Sequence, residues 1–251
     1  VNRPGLHLIS AEPSAIGDMT AFGIEDGLRT TDAVTVPIIS ELKTDNAQLS
    51  KVAFALERGI LLNPYRVPMV GGYGGGPEGT AIVGVAGLLM ALIVYQGYLG
   101  YINLDVISVM PPGSTARPVL WTRSAIAQAC QRNTKAISGA GLVTYSGPGT
   151  EMMLYEIAAG TITHTVSGHH VMHGVRKTRL TKPNQCSGLE AKWEAEIAYA
   201  STKLNRENAN ELVKILLKEY EDKIREAPEG LTFQEIYDWK TLKVRPQVFE
   251  I

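Results

Sequence analysis

Cysteine is scarce in this 251-residue sequence. The two cysteines, Cys130 and Cys186, are far apart, and neither stands in a Cys-x-x-Cys or similar metal-ligand spacing. The sequence therefore does not indicate a disulfide framework or a cysteine zinc site. A reducing, cytoplasmic setting is expected.

An excess of charge of either sign is also lacking. Twenty-four Lys and Arg residues stand against twenty-five Asp and Glu residues, for a formal net charge of −1. A chain without a global basic field is not expected to bind nucleic acid or an anionic membrane surface.

Long apolar runs are missing as well. The longest, TAIVGVAGLLMALIVY at 80–95, has about sixteen residues, whereas a membrane span needs roughly twenty. A fully buried helix is therefore favoured over a membrane helix. Gly84 and Gly87 would let it pack closely against a neighbour.

Apolar segments alternate with helical patterns along the first three quarters of the chain. Segments rich in β-branched residues predict six strands, at 4–10, 33–39, 59–70, 101–110, 136–145 and 160–166. Helical spacing predicts four helices between them, at 46–58, 80–96, 116–133 and 150–159. Such alternation is typical of parallel strands with right-handed crossovers, in a barrel or a doubly wound sheet.

The pattern changes near residue 186. A capping-box spacing from Ser187 to Glu190 opens a helix, and a second helix at about 207–225 ends before Pro228. We therefore predict a barrel portion at 1–186 and a helical extension at 187–251 that packs on it.

A glycine-rich loop, MVGGYGGGPEGTA at 69–81, contains the dinucleotide-binding pattern Gly74-x-Gly76-x-x-Gly79. Its position between a strand and a helix suits a phosphate cradle. Glu78 would oppose a pyrophosphate, however, and the next acidic residue is Asp105, too far on to bind a ribose. NAD binding is not favoured, and the glycines indicate a strained turn or a close approach of the backbone to another ligand.

Four histidines lie within ten residues: His164, His169, His170 and His173. On a helix, His169 and His173 would share one face, as zinc ligands do. No carboxylate accompanies them, so surface or capping histidines are favoured and no bound metal is expected.

In parallel α/β folds the reacting groups follow the carboxyl ends of the strands. The predicted loops there carry acids, phenols, histidines, hydroxyls and one guanidinium: Glu12, Tyr73, Glu78, Ser114, Arg117, Tyr145, Ser146, Glu151, His164 and His169. This mixture suits a small polar or cationic substrate.

At these loops the sequence resembles the monomethylamine methyltransferases of methanogenic archaea, corrinoid-dependent enzymes that carry pyrrolysine. The matching words occur in family order: NRPG (2–5), ELK with Asp45, PMVGGYGGGPE (68–78), STAR (114–117), GPGTEM (147–152), TITHTVSG (161–168), GLEAK with Glu196, and APEGLTFQEIYDWKT (227–241).

This resemblance implies a (β/α)₈ barrel of TIM type. Its cavity would take a methylamine and pass the methyl group to the cobalt of a corrinoid carried by a small partner protein. Family chains are much longer, and about six strands are predicted here, so the barrel is expected to be incomplete. A homo-oligomer is also expected.

The loops at the strand ends and the resemblance together indicate roles for particular residues. Catalytic roles fall to Glu12, Glu78, Tyr145 and Glu151, and substrate binding to Ser10, Tyr73, Arg117 and His164. Gly71, Gly72, Gly74 and Gly75 would give a planar corrinoid ring access to bare backbone.

Pyrrolysine itself has no counterpart, because its position falls at Ile9 or Ser10. Other polar positions of the family cavity fall at Thr35, Tyr65, Gly141 and Val143, three of which lack the carboxylate, amide or phenol. The favoured function is methyl transfer from a methylated amine without pyrrolysine. A quaternary amine is one candidate, because its nitrogen already is a good leaving group. The alternative is an inactive homologue or a subunit that completes a neighbour's barrel.

Overall fold

A computed structural model describes residues 15–22, 29–38, 42–95, 101–179, 181–246 and 248. Its strands are β1 (Ala33–Ile38), β2 (Leu61–Arg66), β3 (Met69–Val70), β4 (Ile102–Asn103), β5 (Ile107–Ser108), β6 (Ser138–Thr144), β7 (Val171–Lys177), β8 (Tyr237–Asp238) and β9 (Lys243–Val244). Its α-helices are α1 (Ala15–Ala21), α2 (Asn46–Arg58), α3 (Pro77–Ile93), α4 (Arg117–Asn133), α5 (Glu151–Ser167), α6 (Gly188–Ser201), α7 (Arg206–Tyr220) and α8 (Phe233–Ile236).

The main sheet has five parallel strands in the order β1-β2-β4-β6-β7. Neighbours in the sheet are successive in the chain, and helices connect them, as in consecutive units of a (β/α) barrel. A doubly wound sheet would instead reverse its order at a switch point. Beyond β2 and β4, the short parallel pair β3 and β5 extends the same two segments, with Met69 opposite Ile107.

Alternate side chains on the strands form the core beneath the helices. The fully buried apolar positions on the first three strand segments are Val34, Val36, Ile38, Leu62, Ile102, Leu104 and Val106. Helix α2, predicted at these bounds, starts where the Asp45 side chain accepts a hydrogen bond from the Gln48 amide and ends at Gly59, whose φ of 66° suits glycine.

Helix α3 confirms the predicted close packing at its two glycines. A Cβ at Gly84 would lie 2.2 Å from Cδ1 of Ile126 on α4, and one at Gly87 would lie 2.9 Å from Cδ of Arg66. Full burial, however, was a wrong expectation, because Ile82 and Ile93 are 72% and 75% exposed on the outer face. Within the part of the chain that is described, helices are too short or too polar to cross a membrane.

The predicted strand at 160–166 is wrong, because these residues form the second half of α5. The side chain of Thr150 caps the start of this helix, and Gly168 ends it at a φ of 96°. Within the helix the Thr163 hydroxyl donates to the Ala159 carbonyl, which lets a β-branched residue sit in a helical interior. The following strand, β7, was not predicted, and the segment 4–10 lies outside the described residues.

The C-terminal helices pack against α5. Ser187 and Glu190 form the predicted capping box at the start of α6, and the Trp193 indole donates to the Leu154 carbonyl at 3.1 Å. Helix α7 is followed by a 3₁₀ helix, Glu221–Glu226. The Tyr220 hydroxyl donates to the Thr115 carbonyl at 2.6 Å and so ties this extension to the loop before α4.

A buried carboxylate on α5 holds two loops at the carboxyl ends of the strands. Glu156 accepts hydrogen bonds from the backbone amides of Tyr145 and Ser146 at 2.8 and 2.9 Å, and from the hydroxyls of Thr115 and Ser146. Burial raises the pKa of Glu156, and these four hydrogen bonds oppose that rise.

We expect Glu156→Gln to lower the free energy of unfolding by about 2–4 kcal/mol, because an amide donor would then face buried donors. Urea denaturation measures this loss. Glu151→Gln on the same helix is the control, because Glu151 is exposed and its bond within the described residues is to the Tyr155 hydroxyl. Equal stability of the two variants would contradict the assigned role of Glu156.

Candidate active site on the inner face of the sheet

The sheet face turned away from the helices is polar. Arg66 and Leu62 pack toward the helices, so Asn63 and Tyr65 point the other way. The same alternation on the segment of β4 adds Tyr101, Asn103 and Asp105. On β7 a register shift between the partners of Ala140 and Leu142 brings His173 and Arg176 to the same face. The polar set is therefore Asn63, Tyr65, Tyr101, Asn103, Asp105, His173 and Arg176. Barrel interiors are commonly filled by branched apolar side chains, so this polar inner face indicates a ligand cavity.

A contact across this face shows that the sheet is curved. Nη2 of Arg176 on β7 lies 3.1 Å from the hydroxyl of Tyr65 on β2. Two strands separate β2 from β7, a distance of about 14 Å along a flat sheet. The inner face is therefore concave.

Two glycines on β6 form a bare floor between β4 and β7. A Cβ at Gly139 would lie 2.8 Å from the Tyr101 ring, and one at Gly141 would lie 2.8 Å from Cε1 of His173. Side chains from the flanking segments therefore meet over β6. Oδ2 of Asp105 lies 3.8 Å from Nε2 of His173, and the rings of Tyr101 and His173 are 5.9 Å apart.

A buried arginine supports this floor from α4. The Arg123 guanidinium is fully buried and donates to the carbonyls of Val106 and Gly141 and to Oδ1 of Asp105. The Gly141 amide also donates to Oδ1 of Asp105, at 2.9 Å. Burial lowers the pKa of Arg123, and the Asp105 charge opposes that shift.

Three histidines near Arg123 and Asp105 are held in the neutral form. Burial lowers the pKa of His169 to about 3 and that of His164 well below its ordinary value. Burial also lowers the pKa of His173, although Asp105 opposes the shift. A neutral His173 beside a carboxylate can donate one hydrogen bond and accept another.

The histidine predictions are corrected by these positions. His164 lies inside α5 rather than in a loop after a strand, and its Nε2 lies 2.8 Å from Nη1 of Arg123. His164 and His169 are buried, so the expected surface position is wrong for both. His169 and His173 do not share a helix, and no cluster of three or more His, Cys, Asp or Glu among the described residues has the geometry of a metal site.

The glycine loop is a self-contained turn after β3. Gly71 and Gly75 have φ values of 87° and 69°, and the amides of Gly71, Gly72 and Gly75 all donate to carbonyls inside the turn. A Cβ at Gly74 would lie 2.8 Å from the Thr80 backbone. These amides are not free to cradle a phosphate, and glycine is needed here for the turn itself.

The other predicted residues lie on different parts of the surface or inside the protein. Tyr73 and Glu78 are exposed, and Glu151 is exposed at the first position of α5. Tyr145 is buried at the end of β6, with its hydroxyl 2.8 Å from Oγ of Ser108, and burial raises its pKa.

Arg117 is engaged elsewhere. It makes an ion pair of 2.6 Å with Glu221 of the 3₁₀ helix, which raises its pKa, so its predicted place facing the substrate is not supported. The basic segment RKTRLTK at 176–182 would, by its charge, be a solvated loop. This is wrong in part, because Lys177 lies in β7 and its buried ammonium bonds to Glu229. Ser10 and Glu12 lie outside the described residues.

A groove of about 610 Å³ opens between the glycine loop and the 3₁₀ helix. Its walls include Val70, Gly71, Ser108, Met110, Tyr145 and Ile224. The structure therefore brings two predicted residues, Gly71 and Tyr145, to one surface at the carboxyl ends of the strands.

Most residues of the inner face were not predicted as site residues, among them Asp105, His173 and Arg176. Asp105 is the one charged residue of the apolar segment 101–110, and a lone acid in such a run signals a buried functional carboxylate. His173 stood out only as one of four clustered histidines and Arg176 carried no signal of its own, because β7 itself was not predicted.

Glu194 on α6 gives a test of the electrostatics near this site. Burial raises the pKa of Glu194 from 4.5 to about 7, with a further increase from Asp105. The folded state then binds more protons than the unfolded state between pH 4.5 and 7, so stability falls as pH rises through this range.

We therefore expect the free energy of unfolding of the wild type to fall by about 3 kcal/mol between pH 4.5 and 8 on account of Glu194. The variant Glu194→Gln should not show this fall. Urea denaturation of the wild type and the variant at several pH values measures the difference. Glu196→Gln, an exposed change on the same helix, should leave the pH dependence of the unfolding free energy as it is in the wild type. Parallel stability curves for the wild type and Glu194→Gln would refute the raised pKa.

The chain was compared with known families and structures. Residues 1–250 match the family model for monomethylamine methyltransferase MtmB. The chain is 31% identical to MtmB2 of Methanosarcina acetivorans and to MtmB1 of Methanosarcina barkeri, over 99% of this chain and 54% of each relative. It therefore spans about half the length of these relatives.

Solved structures agree with this likeness. The crystal structure of a hydroxylamine complex of MtmB superposes with a TM-score of 0.91 at 29% identity, and that of Methanosarcina barkeri MtmB with 0.88 at 28%. Each superposition covers 99% of this chain and 54% of the other. The α/β fold of TIM-barrel type is thereby confirmed, and the chain belongs to the monomethylamine methyltransferase family.

Proposed function

We propose that this chain moves a methyl group from a methylated amine to the cobalt of a corrinoid carried by a partner protein. The observation that carries the proposal is the polar, concave inner face in a member of the monomethylamine methyltransferase family. Tyr65 and Tyr101 offer aromatic faces to a methylated ammonium group.

The reaction is a direct displacement. The electron pair of reduced cobalt forms the new bond to the methyl carbon, and the pair of the broken C–N bond stays on nitrogen as the amine leaves. A quaternary nitrogen already is a good leaving group, so no imine is required to capture it. This suits a sequence with Ile9 and Ser10 at the pyrrolysine position.

The corrinoid, the methyl acceptor, is expected to approach over the glycine loop and the adjoining groove. Gly71 and Gly75 are exposed there, and Tyr145 lies in the wall of the groove. The absence of side chains at these glycines leaves room for a broad planar ring.

An inactive homologue is the second candidate. Gly141 and Val143 lack the polar groups that the resemblance places there, which favours this alternative. His173 is the opposing observation, because its imidazole fills the space above Gly141 and restores a polar group to the inner face.

The two candidates are separated by mixing the chain with cob(I)alamin and a panel of methylamines and betaines. An active enzyme converts cob(I)alamin to methylcobalamin with at least one of them, which the visible spectrum records. An unchanged spectrum across the panel would favour the inactive homologue.

A separate test concerns the dinucleotide pattern of the glycine loop. NADH fluorescence should not change on mixing with the chain.

We expect Gly76→Trp to slow methyl transfer to cob(I)alamin at least about tenfold, because a bulky side chain would keep the ring from the loop. Gly76 has an ordinary φ of −73°, and the nearest atom to an added Cβ is Oε2 of Glu78 at 3.4 Å. The variant should therefore fold, unlike Gly74→Val, which would collide with the Thr80 backbone.

Gly76→Ser is the matched control, since serine at this N-cap position suits the start of α3. It should transfer methyl groups at the wild-type rate. Wild-type rates in Gly76→Trp as well would show that the corrinoid does not approach over this loop.

A further inference from the structure

We propose that the methylated amine bound at this inner face carries a carboxylate, which binds between Arg176 and Tyr65. This substrate class rests on the proposed methyl transfer, and N-methylated amino acids are its simplest members. A plain methylamine would lack the group that this pair recognises.

Arg176 is the first observation. Its side chain projects over the concave face and, within the described part of the chain, hydrogen bonds to the Tyr65 hydroxyl at 3.1 Å. No acidic side chain pairs with it among the residues that the structure describes. The residue is exposed, so the rest of its planar fork of donors is open to a ligand.

The charges around Arg176 are the second observation. Asp105 is the one carboxylate of the described inner-face set, and its Oδ1 already accepts from Arg123 and from the Gly141 amide. Arg123 and Asp105 therefore offset each other, which leaves the charge of Arg176 uncompensated among the residues that the structure describes. Glu194 adds little negative charge below neutral pH, because its pKa is about 7.

An uncompensated cation opposes the binding of a second cation in a partly buried cavity. A substrate that is only an ammonium ion would meet this repulsion without compensation. A carboxylate on the same molecule turns the repulsion by Arg176 into attraction, because guanidinium and carboxylate form paired, charge-assisted hydrogen bonds. The Tyr65 hydroxyl supplies a further donor beside them.

The remainder of the inner face suits the other end of such a molecule. Tyr65 and Tyr101 present aromatic rings, and Oδ2 of Asp105 has no hydrogen-bond partner in the described part of the chain. A methylated ammonium group is attracted to aromatic faces and to a carboxylate. The ammonium end would thus lie at the aromatic faces, and the carboxylate end at Arg176.

Binding is tested by titration calorimetry on the full chain, without a corrinoid. The probes are N-methylglycine and trimethylglycine, together with the methyl ester of trimethylglycine, which keeps the ammonium and loses the negative charge. We expect trimethylglycine to bind at least about tenfold more tightly than its ester, as a charge-assisted pair requires.

The variants locate this preference. Arg176→Met should bind the acid and the ester equally, and Tyr65→Phe should keep part of the preference. Arg132→Met, which changes an exposed arginine at the end of α4, should bind as the wild type does. Circular dichroism establishes that each variant is folded.

Equal affinity of the wild type for acid and ester, or a preference that survives in folded Arg176→Met, would overturn the inference. Failure of methyl transfer is a separate result, because binding is measured without cobalt. If the chain prefers the carboxylate but transfers no methyl group, the result supports the proposed binding pocket and contradicts only the proposed methyl transfer.

Discussion

The inner face depends on one buried charge. The Arg123 guanidinium reaches from α4 to two backbone carbonyls, to Asp105 and to His164, and so joins two strand segments and α5. Removing it would leave carbonyl oxygens and a carboxylate buried without a donor, at a cost of about 3–5 kcal/mol. The same contact fixes Asp105, and Asp105 in turn lies beside His173. Fold and site therefore share this residue.

The two faces of the sheet have different roles, one in packing and one in the proposed binding site. Toward the helices, branched apolar side chains pack densely, and glycines on α3 bring that helix close. Toward the hollow, the same strands present amides, phenols and charges. Curvature makes this second face useful, because side chains from strands that are not neighbours can act on one small molecule.

Much of the architecture could be predicted from local patterns. Strand β1 and helix α2 were found because β-branched residues, the Asp45 cap and Gly59 mark their limits in the chain itself. The strand prediction for 160–166 was wrong because the alternating threonines there resemble a strand. The residues that begin and end the helix, Thr150 and Gly168, lie outside this segment. Sequence alone did not signal the partner of Arg117, since Glu221 lies 104 positions away. The meeting of Asp105 with His173 likewise requires a curved sheet and a bare strand between them.

The bare floor at Gly141 also constrains how this site can change over generations. Because a single methyl group there would collide with the imidazole of His173, a side chain cannot return at position 141 while that histidine keeps its place. Position 173 must shrink or turn away first. The two sites are therefore epistatic, and the route between this inner face and one with an amide or acid on β6 passes through an ordered pair of substitutions.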